Sequence, residues 1–159
     1  MRIGIPREIK PFEGRVALIP EAASELVRAG HEVFVERDAG RLSGYADEDY
    51  RAIGATLLPD AETLYKNAEL IIKVKEPTPE EVPLLRKEHI LFCFLHLAAN
   101  VALACQLKAI GLTAIAFETV EENGTLPLLA PMSDIAGRIA VQVGTHLLHL
   151  PMGGRGILL

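Results

Sequence analysis

A layered α/β fold built on a mostly parallel sheet is predicted from two features of the sequence. Short apolar runs such as Leu70–Val74 and Ile90–Leu95 end in proline or a polar group, which is how strands buried on both faces read. Amphipathic stretches bounded by caps and glycines separate these runs, so strand and helix alternate along the chain. No internal repeat at a fixed period competes with that reading.

In order, Arg2–Pro6 reads as the first strand, Pro11–Gly14 as a turn and Arg15–Ile19 as extended chain. Pro20 suits the first position of a helix, where its missing N–H costs little. The helix Glu21–Ala29 places Ala22, Leu26 and Ala29 on one face and stops at Gly30. His31–Glu36 alternates as a strand with Val33 and Val35 on one side, and a turn-rich loop follows over Asp38–Gly44. Asp47 can cap a short helix through Ile53, stopped by Gly54. Ala55–Leu58 reads as a short strand, and Asp60 caps the helix Ala61–Asn67.

The run Leu70–Val74 is the central strand. Thr78-Pro-Glu-Glu opens a further helix, with Pro79 in its first turn and acids near its positive end. Ile90–Leu95 is the next strand. Asn100 or Ala98 starts a helix to Ile110 that Gly111 stops, and Thr113–Phe117 is the last strand. After a polar turn at Glu121–Gly124, Pro131 starts a long helix from Met132 to about Leu148, with Ile135, Ile139 and Val143 on one stripe. Gly137 inside it suggests close packing against another element. The segment from Pro151 to Gly156 is glycine-rich and flexible, and Ile157–Leu159 reads as the approach to a further element. The expectation is a fragment or natural half of a two-domain protein, with a substrate-binding catalytic domain over 1–128 and a linker helix leading to a second domain over 129–159.

The 159 residues suit one domain, or one domain and a piece of another. Half are hydrophobic but only 5% are aromatic, so the core must be aliphatic. A formal charge of -5 gives no general attraction for nucleic acid or an anionic membrane, though local cations can hold a small anion. Cys93 and Cys105 have no metal-type spacing and read as buried thiols of a reducing compartment. The N-terminus lacks the apolar segment of a signal peptide, and no uncharged apolar stretch reaches the roughly 20 residues that span a bilayer. The expectation is a soluble, cytoplasmic protein.

Ligands collect beyond the carboxyl ends of strands in parallel sheets. Lys75 and His96 stand at two such ends and can face one crevice, there to hold and protonate a small carbonyl substrate. An imidazole suits proton transfer near neutral pH. A solvated lysine and a boundary histidine are the plainer readings of each residue alone. Arg15 follows Gly14 and offers the planar fork that grips a carboxylate with two parallel hydrogen bonds. Lys73 defaults to an ion pair with a nearby acid, and Arg7 and Glu8 to surface or network charges. Glu118 ends the last strand, as a helper carboxylate or a plain strand-end acid. Ser133 and Asp134 offer a hydroxyl and a helix start that suit a nucleotide, or simply cap the helix. His31 and His89 read as bland. His146 and His149 have a spacing a metal could use, but no third ligand is evident, so no metal site is assigned. No Gly-x-Gly-x-x-Gly follows a strand, and no phosphate loop, Gly-x-Ser-x-Gly or Cys-x-x-Cys occurs.

Five stretches, taken together, resemble alanine dehydrogenase. They are Gly4-Ile-Pro-Arg-Glu-Ile-Lys10, Gly14-Arg-Val-Ala-Leu18, Ile72-Lys-Val-Lys-Glu-Pro77, Phe94-Leu-His-Leu97 and Leu128-Leu-Ala-Pro-Met-Ser-Asp-Ile-Ala-Gly137. The resemblance runs through the whole chain but covers only the N-terminal part of that family's enzyme. It implies a three-layer Rossmann-like or flavodoxin-like fold, a following NAD-binding domain, and NAD-dependent, reversible oxidative deamination of L-alanine to pyruvate and ammonia. It implies that Arg15 and Lys75 hold the substrate, that His96 is the acid–base and that Ser133 touches the cofactor. Homohexamers are implied as well, and so is the inactivity of these residues without a cofactor domain. The NAD-binding subunit of proton-translocating transhydrogenase and saccharopine dehydrogenase are similar alternatives; His96 favours the dehydrogenase over the former. A non-catalytic assembly or regulatory domain is the alternative from another class.

Overall fold

The computed structural model describes residues 1–157; Leu158 and Leu159, the end of the run read as an approach to a further element, lie outside the described residues. Up to Phe117 the chain forms one compact unit and from Glu118 a second. The first unit is a six-stranded sheet in which every pairing is parallel. Its strands are β1 (Arg2–Ile5), β2 (Glu32–Glu36), β3 (Thr56–Leu58), β4 (Leu70–Ile72), β5 (Ile90–Cys93) and β6 (Thr113–Ala116), in the order β3-β2-β1-β4-β5-β6.

Strand alternation divides the core between two faces. On one face Ile5, Val33 and Val35 pack with Ala23 of α1 (Pro20–Arg28) and Tyr50 of α2 (Asp47–Ala52). On the other, Ile71, Leu91 and Cys93 pack with Leu64 and Tyr65 of α3 (Ala61–Asn67) and with Leu103 and Leu107 of α4 (Val101–Ile110). Helices on both faces of a parallel sheet make the three-layer α/β fold that the sequence predicts. Gly4 of β1 faces α3 so closely that an added Cβ would lie 2.7 Å from Leu64 Cδ2 and 2.9 Å from Ala68 Cβ. Leu64 can swing its side-chain tip away, but the Ala68 Cβ cannot move without the helix. Gly4→Ala is therefore expected to cost roughly 1–3 kcal/mol of stability, the usual range for overpacking, read as a lower urea midpoint at unchanged slope.

Local chemistry fixes the helix ends. Asp60 Oδ1 accepts from Thr63 N at 2.7 Å and Asn100 Oδ1 from Leu103 N at 3.1 Å, as N-caps do. Gly111 ends α4 at φ 78°, in the left-handed region. Several elements differ from expectation. Thr78 opens a turn and then a short 3-10 helix, Val82–Leu84, instead of an α-helix. Pro83 lacks the N–H and crowds the carbonyl four residues back. At α2 the acid that reaches back is Asp49, which accepts from Ala46 N at 2.7 Å, while Asp47 accepts from Asp38 N at 2.9 Å. Arg15–Ile19 joins no strand; Val16 N donates to Ser43 Oγ instead. Cys93 is buried, but Cys105 lies on the exposed side of α4.

In the second unit, Asn123 and Gly124, both at positive φ, turn the chain between the bridged residues Glu122 and Thr125. The helix α5 (Ala130–Leu148) follows. None of its residues is buried, and Ile135, Ile139, Val143 and Leu147 form an exposed stripe. The close packing expected at Gly137 is absent among the described residues, where an added Cβ meets nothing within 4 Å.

Candidate active site

The order of the strands places a switch point between β1 and β4, because the chain moves outward from β1 through β2 to β3, then returns and moves the other way. Crevices that bind ligands form beyond the carboxyl ends of strands at such a point. Glu8 and Arg15 follow β1 there, Lys75 follows β4, and His96 follows the neighbouring β5. The β4–β5 ladder continues past the regular strands, since Lys73 N donates to Phe92 O and Phe94 N to Val74 O, both at 3.1 Å. Lys75 and His96 thus leave adjacent strand tips, one residue apart in register.

His96 is exposed and sits at φ 49°, ψ 35°, a region few non-glycine residues occupy. Its ring lies nearly parallel to that of Phe94, with centroids 6.0 Å apart and planes at 10°. Such a backbone persists only where its surroundings hold it. Beside it, Glu76 is paired with Lys10. Burial alone would raise the Glu76 carboxyl, but the hydrogen bond from Lys10 and the charges of Lys10 and His96 more than offset it and hold it below the usual range.

Arg15 is oriented by Glu13. Arg15 Nε donates to Glu13 Oε1 at 2.8 Å, a terminal nitrogen to Oε2 at 2.6 Å, and the backbone N–H to Oε1 at 3.0 Å. The hydrogen bonds from Arg15, helped by the positive charges of Arg15 and Lys75, keep the Glu13 carboxyl below the usual range. Glu13 therefore has the arginine as its partner and the Lys75 ammonium within electrostatic reach. A cleft of about 340 Å³ opens here, lined by Arg7, Glu8, Glu13, Arg15, Asp38 and Arg41 among others. The arginines and carboxylates that converge suit a small zwitterion or acid rather than an apolar ligand.

Beneath Lys75 lies a buried charge cluster. Lys73, fully buried, stands 2.5 Å from Glu81 Oε1 and 3.5 Å from Glu8 Oε2. Glu81 also accepts from Tyr65 Oη at 3.2 Å and from Thr78 N at 2.8 Å. The pairing expected for Lys73 is present, but Glu8, read as a surface or network charge, is almost wholly buried. Burial pushes the Glu8 carboxyl up, against the pull of Lys73 and the amides it holds. The folded chain thus binds this proton more tightly than the unfolded chain. Glu8 ionisation lowers stability as pH rises from the unfolded to the folded value, and the effect is absent below the unfolded value.

Glu13 carries no signal that singles it out in the sequence, and Glu81 only that of a helix-start acid, which it keeps by accepting from Thr78 N at 2.8 Å. The nearest hint for Glu81 is Lys73 itself, because an ammonium inside an apolar strand run requires a buried counter-ion. Ser133 and Asp134 lie in the first turns of α5 and are exposed, and Glu118 lies in the 3-10 turn Phe117–Thr119 that follows β6. His89 is buried against Tyr65 O at 2.9 Å, the structural role expected of it.

A family model described as alanine dehydrogenase/PNT, N-terminal domain, matches residues 4–136, and the chain belongs to that family. The alanine dehydrogenase of Bacillus subtilis (strain 168) is 52% identical over 159 residues, all of this chain and 42% of that protein. That of Mycobacterium tuberculosis (strain ATCC 25618 / H37Rv) is 49% identical over 160 residues, 43% of its length. A solved L-alanine dehydrogenase superposes with a TM-score of 0.89 at 51% identity, over 99% of this chain and 44% of its own. A transhydrogenase from Sinorhizobium meliloti superposes with a TM-score of 0.72 at 30% identity, over 77% of this chain and 36% of its own. The chain thus spans less than half the length of the relatives it matches.

Proposed function

We propose that the chain supplies the amino-acid-binding and proton-transfer half of an NAD-dependent alanine dehydrogenase, which interconverts L-alanine with pyruvate and ammonia. What supports this reading is that Arg15, Lys75 and His96 follow β1, β4 and β5, neighbouring strands of one parallel sheet, in a chain about half identical to alanine dehydrogenases throughout. In this reading Arg15, oriented by Glu13, grips the substrate carboxylate through its planar fork. Lys75 hydrogen-bonds the carbonyl oxygen and opposes the charge that grows there as ammonia adds and the carbinolamine forms. His96 gives and takes the protons that convert carbinolamine to iminium and water.

The nicotinamide is the redox partner of this chemistry. The turn after β1 does not fit its pyrophosphate. Pro6 and the buried Glu8 stand where a dinucleotide site has glycines and a helix start, and no helix begins before Pro20. Within this chain only the Ser133 hydroxyl, on the first turns of α5, is assigned to the cofactor. A cytoplasmic homohexamer is part of the same proposal, on the resemblance alone. No helix of the described residues is long and apolar enough to cross a membrane.

Arg15→Lys in the complete gene product tests the reading. Lysine keeps the charge but loses the two-pronged geometry. The KM for pyruvate is expected to rise by about 10-fold or more, the factor that one lost charged hydrogen bond commands, with kcat within about threefold. A KM that stays within twofold would remove Arg15 from the carboxylate site.

A further inference from the structure

At the crevice between β1 and β4, a side chain takes over where the backbone ladder stops. The last registered pair between the two strands is Gly4 with Ile71. The chain after Ile5 continues through Pro6, which has no N–H, and leaves the sheet. Glu8 then turns its carboxylate back towards β4. Its Oε1 accepts from Val74 N at 2.6 Å and stands 3.4 Å from Lys75 N, while Oε2 faces Lys73 Nζ at 3.5 Å. Lys73 is held in turn by Glu81 at 2.5 Å, and Glu81 by Tyr65 Oη and Thr78 N. This buried chain of contacts therefore ends on the peptide that carries the Lys75 side chain.

We infer that Glu8 is a positioning residue for Lys75: it grips the Val74 and Lys75 amides and so fixes where the Lys75 amine stands, while Lys73 and Glu81 hold its carboxylate in place. The inference rests on the reading of Lys75 as the residue that holds the substrate carbonyl. Two acceptor oxygens are required. One faces two N–H donors and the other an ammonium, so each neighbour of the carboxylate is a donor. Glutamine has the same shape but cannot satisfy both sides. In one orientation its NH₂ meets the ammonium, and in the other it meets the two amides. Burial already opposes the Glu8 charge, so the neutral variant is expected to fold. Its defect would then lie in where Lys75 points.

The test compares Glu8→Gln, Glu8→Asp and Lys75→Met in the complete gene product, assayed as pyruvate amination with NADH. Glu8→Gln is expected to keep a melting temperature within a few degrees of the parent. Its kcat should fall roughly 10- to 100-fold, the scale of a misplacement of about 1 Å, with KM for pyruvate within threefold. A folded Glu8→Gln with kcat within threefold of the parent, beside an inactive Lys75→Met, overturns the positioning role and leaves the site reading intact. A change confined to KM also overturns it, since that would place Glu8 on the substrate. An active Lys75→Met overturns the reading of the site itself. If Glu8→Gln does not fold, Glu8→Asp decides. It keeps the charge and both acceptors but withdraws them by one methylene, and it should show the same loss of kcat; parental turnover in that variant overturns the proposal.

Discussion

Replacing Lys75 by methionine in the complete gene product is expected to lower the kcat of pyruvate amination by about 10³-fold. Removing a single preorganised donor from a developing oxyanion typically costs 10²–10³. Lys75 offers an ammonium instead of a neutral donor and is half-buried, which puts the expectation at the upper end. The protein itself should be little affected, because the amine of Lys75 is not the one that neutralises the buried carboxylates; Lys73 is. The two lysines are two residues apart, yet their substitution should give opposite outcomes. Lys73→Met leaves Glu8 and Glu81 buried without a cation and is expected to cost several kcal/mol of stability, of order 3–5 for a broken buried pair. Lys75→Met should leave the melting temperature near the parent's and remove turnover. Steady-state kinetics and a thermal melt on both variants read the contrast directly. A Lys75→Met enzyme that retains a tenth of parental turnover would contradict charge stabilisation by this residue.

The sequence carries the sheet because a strand buried on both faces leaves a short apolar run that ends at a proline or polar break, too short for a buried helix, and Leu70–Val74 and Ile90–Leu95 are such runs. It carries α1, α3 and α4 because Pro20, Asp60, Asn100 and Gly111 have local roles that do not depend on the rest of the chain. Local rules failed at Thr78–Leu84, where Pro83 outweighs the acidic helix start. They failed at Arg15–Ile19 as well, where the chain satisfies Val16 through a serine 27 residues away. Lys75 and His96 were legible as candidates because each ends an apolar run. What supports them was not. Glu8, Glu13 and Glu81 are acids among many in a chain of net charge -5, and only the folded chain shows that Glu8 lies against the peptide of Lys75 and Glu13 against Arg15. The buried pair of Lys73 with Glu8 joins residues distant in sequence, and no periodicity or cap marks that pairing.

His96→Ala is expected to reduce both alanine deamination and pyruvate amination by about 10²–10⁴, the range for a lost general acid–base. The two directions must fall together, because the same protons are moved in each. The KM for pyruvate should change little, since the carboxylate and carbonyl contacts proposed for Arg15 and Lys75 remain. The structure also limits what can replace the imidazole. His96 sits in the left-handed region with its ring stacked on Phe94, a conformation that asparagine adopts readily and alanine less so. His96→Asn therefore keeps the backbone and a hydrogen-bonding group but cannot carry the proton. If the residue mattered only as a turn, Asn would restore turnover and Ala would not. If it transfers protons, both variants should be slow and added imidazole should restore part of the rate to Ala. Turnover within threefold of the parent in His96→Asn, with His96→Ala impaired, would assign His96 to the turn and take the proton chemistry elsewhere.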